Sequence, residues 1–415
     1  MVDTAVVLHA NLLYAEIPLS DIPRLVEECY LPVLESILNH PEVRVAFNFS
    51  GFSLELINGE HPEIYKGKPL VLSFLREGIE KKQVEVTGSS WSHAILPLMP
   101  IPLMQEDIRL FASTAQRILD CKPRGFFPPE MGISPLLPRV LLESGYEWSF
   151  FDGDFIGMTE KGNLNAYNDF DPIPISFSKL TARVKFRSRL SQYRHLRRME
   201  SRIRRSLDFR PIQWFGTEDS SIPGLICDSL WLSYSLICLS HVAFLNERRL
   251  LRTIDMVASK PIRGLFIPYC SDVEFFGYGG NTIKEPIPVS RLEIFLRALS
   301  ENPTLNMTLP SEFLDGQESS GRSYYLKSGS WSTDMNFDMW ECEPDNALLN
   351  RLSQEAYDLF ISGRKKLKSD EELRLLKALL LSYNSDGRGW TPLAEHRLLC
   401  FNKALEVRSH FRDDY

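Results

Sequence analysis

The sequence lacks the spacings that usually hold metals or build redox motifs. It has no Cys-x-x-Cys pair and no His-Glu-x-x-His run, so no metal or other cofactor is expected from motif evidence. Its seven cysteines, Cys29, Cys121, Cys227, Cys238, Cys270, Cys342 and Cys400, are scattered and odd in number. That excludes a disulfide scaffold and fits free thiols in a reducing, cytoplasmic setting. Long hydrophobic runs are also missing. Leu230–Leu239 is the longest, and it is interrupted by Ser233, Ser235 and Cys238, which is too short for a bilayer. The N-terminus carries Asp3 where a signal peptide needs positive charge, and His9 and Asn11 break its apolar run, so neither a signal peptide nor a membrane partner is expected. There is no Gly-x-Ser-x-Gly elbow, and Gly277-Tyr-Gly279-Gly280 has no phosphate-loop lysine; serine-hydrolase and nucleotide-loop chemistry are poor fits. A basic excess is absent too. Lys and Arg total 47 against 54 Asp and Glu, a net charge of −7, which gives no global attraction to nucleic acid.

What is present is an ordinary globular composition over 415 residues, 44% hydrophobic and 24% charged. The length suits two or three domains, or one large barrel plus a smaller unit. Strand and helix patterns alternate. Thr4–Leu12 reads as a buried strand and Ile22–Leu38 as a helix broken by Pro32. Arg44–Phe49 (strand), Leu70–Lys82 (helix), Val84–Thr87 (strand) and Gln105–Leu119 (helix) follow. Then come Gly125–Pro128 (strand), Leu136–Ser144 (helix), Trp148–Phe151 (strand), Arg248–Ser259 (helix) and Gly264–Tyr269 (strand). Such alternation predicts a parallel sheet with helices outside. A closed barrel is favoured because polar residues follow strand after strand: His9, Glu85, Glu130, Asp152 and Asp272. Carboxyl ends of barrel strands are where active sites form. From about Pro344 the texture changes to three helices, Asn346–Gly363, Asp370–Asn384 and Pro392–Phe411. The segment Arg183–Arg210 carries eleven Lys and Arg against Glu200 and Asp208, with Tyr193, Leu196, Met199, Ile203 and Leu207 at helical spacing. A solvated helix with one apolar seam explains it; an anionic partner or a subunit contact is the competing reading.

The carboxylates carry the chemistry. Glu130 follows a short apolar strand and two stiffening prolines; it is either a structural helix-terminus charge or a preorganised catalytic group. Asp272 and Glu274 end an apolar strand at the spacing of two that points side chains one way along an extended chain. Buried acids are expensive unless partnered or used. Glu130 and Asp272 together would supply the two carboxyl groups of a glycosidase, one attacking the anomeric carbon and the other protonating the leaving oxygen. His9 and His93, each beyond a strand, suit sugar hydroxyls, and Glu85 would add an acceptor. Trp91, Trp331 and Trp390 offer faces for pyranose stacking or simply pack a core.

These segments together resemble glycoside hydrolase family 57 nearly end to end. Val7-Leu-His9-Ala-Asn11 stands where the family usually has His-x-His-Gln-Pro. Gln83-Val-Glu85 through His93-Ala-Ile-Leu-Pro97 looks like the second motif. Phe127-Pro-Pro-Glu130 looks like the third, with the glutamate nucleophile. Ser271-Asp272-Val-Glu274 looks like the fourth, with the aspartate acid/base. Asn384-Ser-Asp386-Gly-Arg-Gly-Trp390 looks like the fifth. The resemblance implies a retaining, metal-independent α-glycosidase on an incomplete (β/α)7 barrel at 1–330. A C-terminal helical bundle at 331–415 would lean Asp386 and Trp390 into the cleft. Asn11 departs from the family's second histidine, and the wording around it looks closest to the short α-galactosidase branch. The expectation is therefore Glu130 and Asp272 as catalytic pair. His9, Asn11, Glu85, Trp91, His93, Asp152, Glu274, Asp386 and Trp390 would contact an α-linked oligosaccharide or glycoside. A homo-oligomer is left open. α-Amylase or 4-α-glucanotransferase activity is the near alternative, and a non-catalytic sugar-binding protein the distant one. A metal-dependent sugar deacetylase lacks its Asp/His ligand spacing.

Overall fold

The computed structural model describes residues 1–156, 199–203, 208–241, 246–279, 285–317, 322–332, 334–389 and 391–412. Among them, seven parallel strands curl into an incomplete barrel: β1 (Val2–Ala10), β2 (Val45–Phe49), β3 (Val84–Thr87), β4 (Gly125–Phe126), β5 (Trp148–Asp152), β6 (Ser221–Cys227) and β7 (Phe266–Asp272). β7, β1, β2 and β3 form one ladder and β4, β5 and β6 another; a parallel bridge from Gly88 to Phe126 joins β3 to β4. No ladder links β6 to β7 among the described residues, so the barrel is open there. Across that opening Cys227 Sγ and Cys270 Sγ lie 3.0 Å apart.

The two faces of β1 show how the pattern works. Val6, Leu8 and Ala10 pack outward among the helices. Ala5 and Val7 point inward with Phe127, Trp148, Phe150, Leu225 and Ile267. The period of two then carries His9, at the strand's end, to the mouth. On the neighbouring β7 the alternation is broken once. Thr4 pairs with Phe266 but Val6 pairs with Tyr269, so two residues of β1 face three of β7. This bulge contains Pro268, which has no N–H to give a ladder. It shifts the parity, so that Cys270 joins the interior and Asp272 becomes the register partner of His9.

The expected helix at Ile22–Leu38 is a continuous helical stretch rather than one broken at Pro32. Its middle, Val26–Tyr30, is a turn of π-helix, followed by α-helix from Leu31 to Leu38. The wider turn accommodates the donor Pro32 lacks and aims Tyr30 at the barrel mouth. The C-terminal helices, Pro344–Gly363, Ser369–Ser382 and Ala394–Arg412, pack on one another through Phe360, Leu379 and Phe411. They are tied to the barrel by an ion pair: Lys377 Nζ meets both oxygens of buried Glu55 at 2.8 Å, and His61 adds a contact at 2.9 Å. No described helix is long and apolar enough to cross a membrane.

Candidate active site

Glu130 sits in a one-turn 3-10 segment, Pro129–Met131, directly after β4. Its φ of 54° and that of Met131, 47°, lie in the left-handed region, which costs a side-chain-bearing residue about 1–2 kcal/mol. Such strain persists where surrounding contacts overdetermine it. Here Trp331 Nε1–H donates to Glu130 Oε2 at 2.9 Å, Trp331 N–H donates to the Glu130 carbonyl at 3.2 Å, and Ser385 Oγ donates to Oε1 at 3.4 Å. Both side-chain bonds favour a carboxylate.

Ser385 and Asp386 come from the helical unit. They lie on the 3-10 turn Ser385–Gly387 after helix Ser369–Ser382. Asn384 anchors this turn by donating from Nδ2 to the Ser92 carbonyl at 2.7 Å and by accepting from the Asp386 N–H at 2.8 Å. Arg388, buried, holds it from behind through the Asn384 carbonyl at 2.9 Å and Asn350 Oδ1 at 2.7 Å. The glycines on either side are sterically required: a Cβ at Gly387 would meet Cys400 Sγ at 2.4 Å, and one at Gly389 would meet Trp340 Nε1 at 2.2 Å.

Four polar side chains from distant sequence meet there. Asn11 Nδ2 donates to Asp386 Oδ2 at 2.6 Å and lies 3.2 Å from His93 Nδ1. His93 Nδ1 is 3.1 Å from Asp386 Oδ2, and its Nε2 is 3.0 Å from His9 Nε2. Burial, with His93 adding to it, pushes the His9 imidazole down to about 3. Burial also works against the His93 cation, but Asp386, Glu130 and Glu274 outweigh it and raise that imidazole above its ordinary value. Burial would lift Asp386, yet His93 and the hydrogen bond from Asn11 hold it below the usual carboxylate range.

Asp272 has the opposite setting. Burial first, then the carboxyls of Glu274 and Glu130, drive its pKa well above that of an ordinary aspartate, although Tyr14 hydrogen-bonds it. Glu274 is not on an extended strand as its spacing predicts. It lies in the turn Val273–Phe275 and is fully buried, because the strand ends at Asp272. Its Oε1 accepts from the Asn11 N–H at 2.8 Å and from the Tyr30 hydroxyl. Burial pushes its carboxyl up to about 7, against those bonds.

The other expected residues fall elsewhere. Glu85 is the second residue of β3, and its carboxylate accepts from Ser311 N–H at 3.0 Å and Ser311 Oγ at 2.5 Å. Ser311 belongs to helix Pro310–Asp315, whose Phe313 packs into the interior. Glu85 is thus near the amino end of its strand, away from the mouth. Trp91 is fully buried against Phe52, with Lys377 Nζ 5.3 Å from its ring centre; it packs the junction with the helical unit. Asp152 ends β5 on the same rim as Glu130, where it accepts from Asp154 N–H at 2.9 Å and from Ser229 Oγ. Burial and nearby Asp228 push it up to about 6. Trp390 lies outside the described residues, as does most of Arg183–Arg210. Within that stretch Met199 and Ile203 are buried, and Glu200 accepts from Arg249 Nε at 2.7 Å and Tyr234 at 2.9 Å. Asn48 and Tyr30 were not singled out from sequence. Asn48 carried the same signal as His9, a polar residue at the end of an apolar strand. Tyr30 lay inside a helical pattern and gave none.

One atom each of His93, Glu130 and Asp386 lies within 4.8 Å of the others. Those atoms are engaged in the hydrogen bonds above, so the set reads as a hydrogen-bonded cluster that sorts charge among carboxyls and imidazoles.

The family model for glycosyl hydrolase family 57 matches residues 5–197. The α-amylase of Pyrococcus furiosus is 29% identical over 126 residues, a match covering 30% of this chain and 18% of that enzyme. α-Amylase 1 of Dictyoglomus thermophilum is 24% identical over 131 residues, 32% of this chain and 18% of that enzyme. The matched segment therefore spans about a fifth of the length of these curated relatives. In overall fold, 99% of the chain superposes on the branching enzyme of Thermococcus kodakaraensis (TM-score 0.69, 14% identity, 89% of that chain). It likewise superposes on the 4-α-glucanotransferase of Thermococcus litoralis (TM-score 0.64, 18% identity, 99% of this chain, 60% of that one). The family model thus matches the first five barrel strands, somewhat less than half of the chain, and the half-barrel with its helical unit is the fold of these solved structures.

Proposed function

We propose that the protein is a retaining α-glycosidase. Glu130, ionised, attacks the anomeric carbon. Asp272, protonated, donates its proton to the departing oxygen, and the glycosyl–Glu130 ester forms. Asp272, now a carboxylate, takes a proton from water, which attacks the ester and releases a sugar of unchanged anomeric configuration. The observation that carries this reading is the opposite setting of the two carboxyls on one rim. Glu130 accepts hydrogen bonds from Trp331 and Ser385, while burial and two neighbouring carboxyls favour the protonated form of Asp272. Pairs of acids pushed apart in this way mark acid/base assignments.

The substrate class supported best is an α-linked glucan, because the named relatives are α-amylases, a glucanotransferase and a branching enzyme. α-Galactosidase is the second reading. It rests on Asn11, whose amide is committed to Asp386 and so reshapes the pocket that the family's usual histidine would line. Residues 331–415 would close one side of that pocket. A panel of aryl α- and β-glycosides assayed beside maltooligosaccharides, with product anomers followed by NMR, tests both. Hydrolysis of maltooligosaccharides with retention supports the glucan reading. Turnover of aryl α-galactoside alone transfers it to the second, and inversion overturns the mechanism.

A further inference from the structure

We propose that Asn48, at the end of β2, is a positioning residue that dictates the proton pattern of His9 and His93 and leaves His93 as an imidazolium facing Glu130. Asn48 is fully buried. Its Nδ2 lies 3.0 Å from Thr87 Oγ1, 3.2 Å from the Gly88 carbonyl and 3.4 Å from the Thr87 carbonyl. Carbonyls only accept, so the amide nitrogen is held on that side and Oδ1 is turned to His9 Nδ1, 2.7 Å away. An amide oxygen also only accepts. His9 therefore carries its proton on Nδ1, and as a neutral ring it has a bare Nε2.

The consequence passes across the mouth. The 3.0 Å contact between His9 Nε2 and His93 Nε2 needs one proton, and it must come from His93. On the far side of the ring, His93 Nδ1 faces Asp386 Oδ2 at 3.1 Å and Ser385 Oγ at 3.0 Å. Ser385 gives its own proton toward Glu130, so both oxygens accept from Nδ1. A ring that donates from both nitrogens is a cation. The charged groups acting most on it are Asp386, Glu130 and Glu274, all acidic, and burial keeps the neighbouring His9 neutral. Asn11 Nδ2, 3.2 Å from His93 Nδ1, is the contact that a neutral His93 would use instead, and that is the state the proposal excludes. The cation balances Asp386, and its field favours ionised Glu130; that last effect rests on the glycosidase reading, whereas the proton pattern does not.

Nitrogen-15 NMR of the imidazoles in the intact protein decides it without any substrate. His9 and His93 are assigned by the loss of their signals in His9→Gln and His93→Gln. At pH 7 the wild type should show His9 with a protonated Nδ1 and bare Nε2, and His93 with both nitrogens protonated. In Asn48→Leu, His9 loses the acceptor at Nδ1, moves its proton to Nε2 and donates to His93, which should then show a bare Nε2. A bare Nδ1 on His9, a bare Nδ1 on His93, or an unchanged His93 in Asn48→Leu would overturn the proposal. If Asn48→Leu does not fold, the wild-type pattern alone decides. In the glycoside assay the same variant should lower kcat with KM little changed and the product anomer retained. Loss of that effect with the NMR pattern intact would count against the role given to Glu130, not against Asn48.

Discussion

His9 and Asp272 are register partners on β1 and β7 only because β7 carries one extra residue near Pro268. Burial, with His93 adding to it, keeps His9 neutral against the opposing pull of Asp386 and the Asn48 hydrogen bond. Folded His9 takes a proton near pH 3, whereas an unfolded histidine does so near 6.5. Between those values the unfolded chain binds more protons, so this group's contribution falls as pH drops, by at most about 1.4 kcal/mol per pH unit. His9→Gln removes that contribution. Urea unfolding at pH 7 and pH 4.5 should show the variant losing about 2 kcal/mol less than wild type over the interval. Equal losses would contradict a neutral His9.

Glu274 is one of the two carboxyls that keep Asp272 protonated. Glu274→Gln preserves shape and removes charge. The basic limb of the pH–rate profile, which reports loss of the Asp272 proton, should move down by about one pH unit. A limb that stays in place would assign the acid to another group.

The helical unit delivers Ser385 and Asp386, and Lys377 ties it to Glu55. Lys377→Met leaves the buried Glu55 with His61 and Arg117 as its charged or chargeable partners and with the Thr114 hydroxyl. Breaking a buried pair on one side is costly; with those partners remaining, about 2 kcal/mol of stability should be lost by urea titration. At saturating substrate kcat should fall as well, because the Asp386 turn moves with its helix. Unchanged kcat in a destabilised variant would show that the turn is held by its contacts with Ser92, His93, Asn11 and Arg388 without help from Lys377.

The sequence was informative where periodicity and strand ends coincide. The alternation of strands and helices, the three C-terminal helices, and the ends of β1 and β4 were legible, and the structure brings His9, Asn11, His93, Glu130 and Asp386 together from four separate segments. What stayed hidden depended on geometry without a periodic signal. The bulge in β7 decides which way Asp272 faces, yet Phe266–Asp272 reads as a plain strand. The turn at Val273–Phe275 removes Glu274 from the extended chain that its spacing implied. Glu85 is polar and lies in a strand, like His9, but it occupies the second position of β3 rather than the last, and that difference sends it to Ser311. Trp91 follows the second motif's strand, and its environment is set by Lys377 nearly 300 residues later.

The central claim is a covalent glycosyl–enzyme on Glu130. Its most direct test is mass spectrometry of the protein quenched after reaction with a fluorinated α-glycosyl fluoride, using the sugar that the substrate panel selects. The account predicts that the peptide containing Glu130 gains the mass of one glycosyl residue. It further predicts that Glu130→Ala loses both the label and at least about three orders of magnitude in turnover, with azide restoring part of the rate. A label on a different residue, or full turnover in Glu130→Ala, would contradict it.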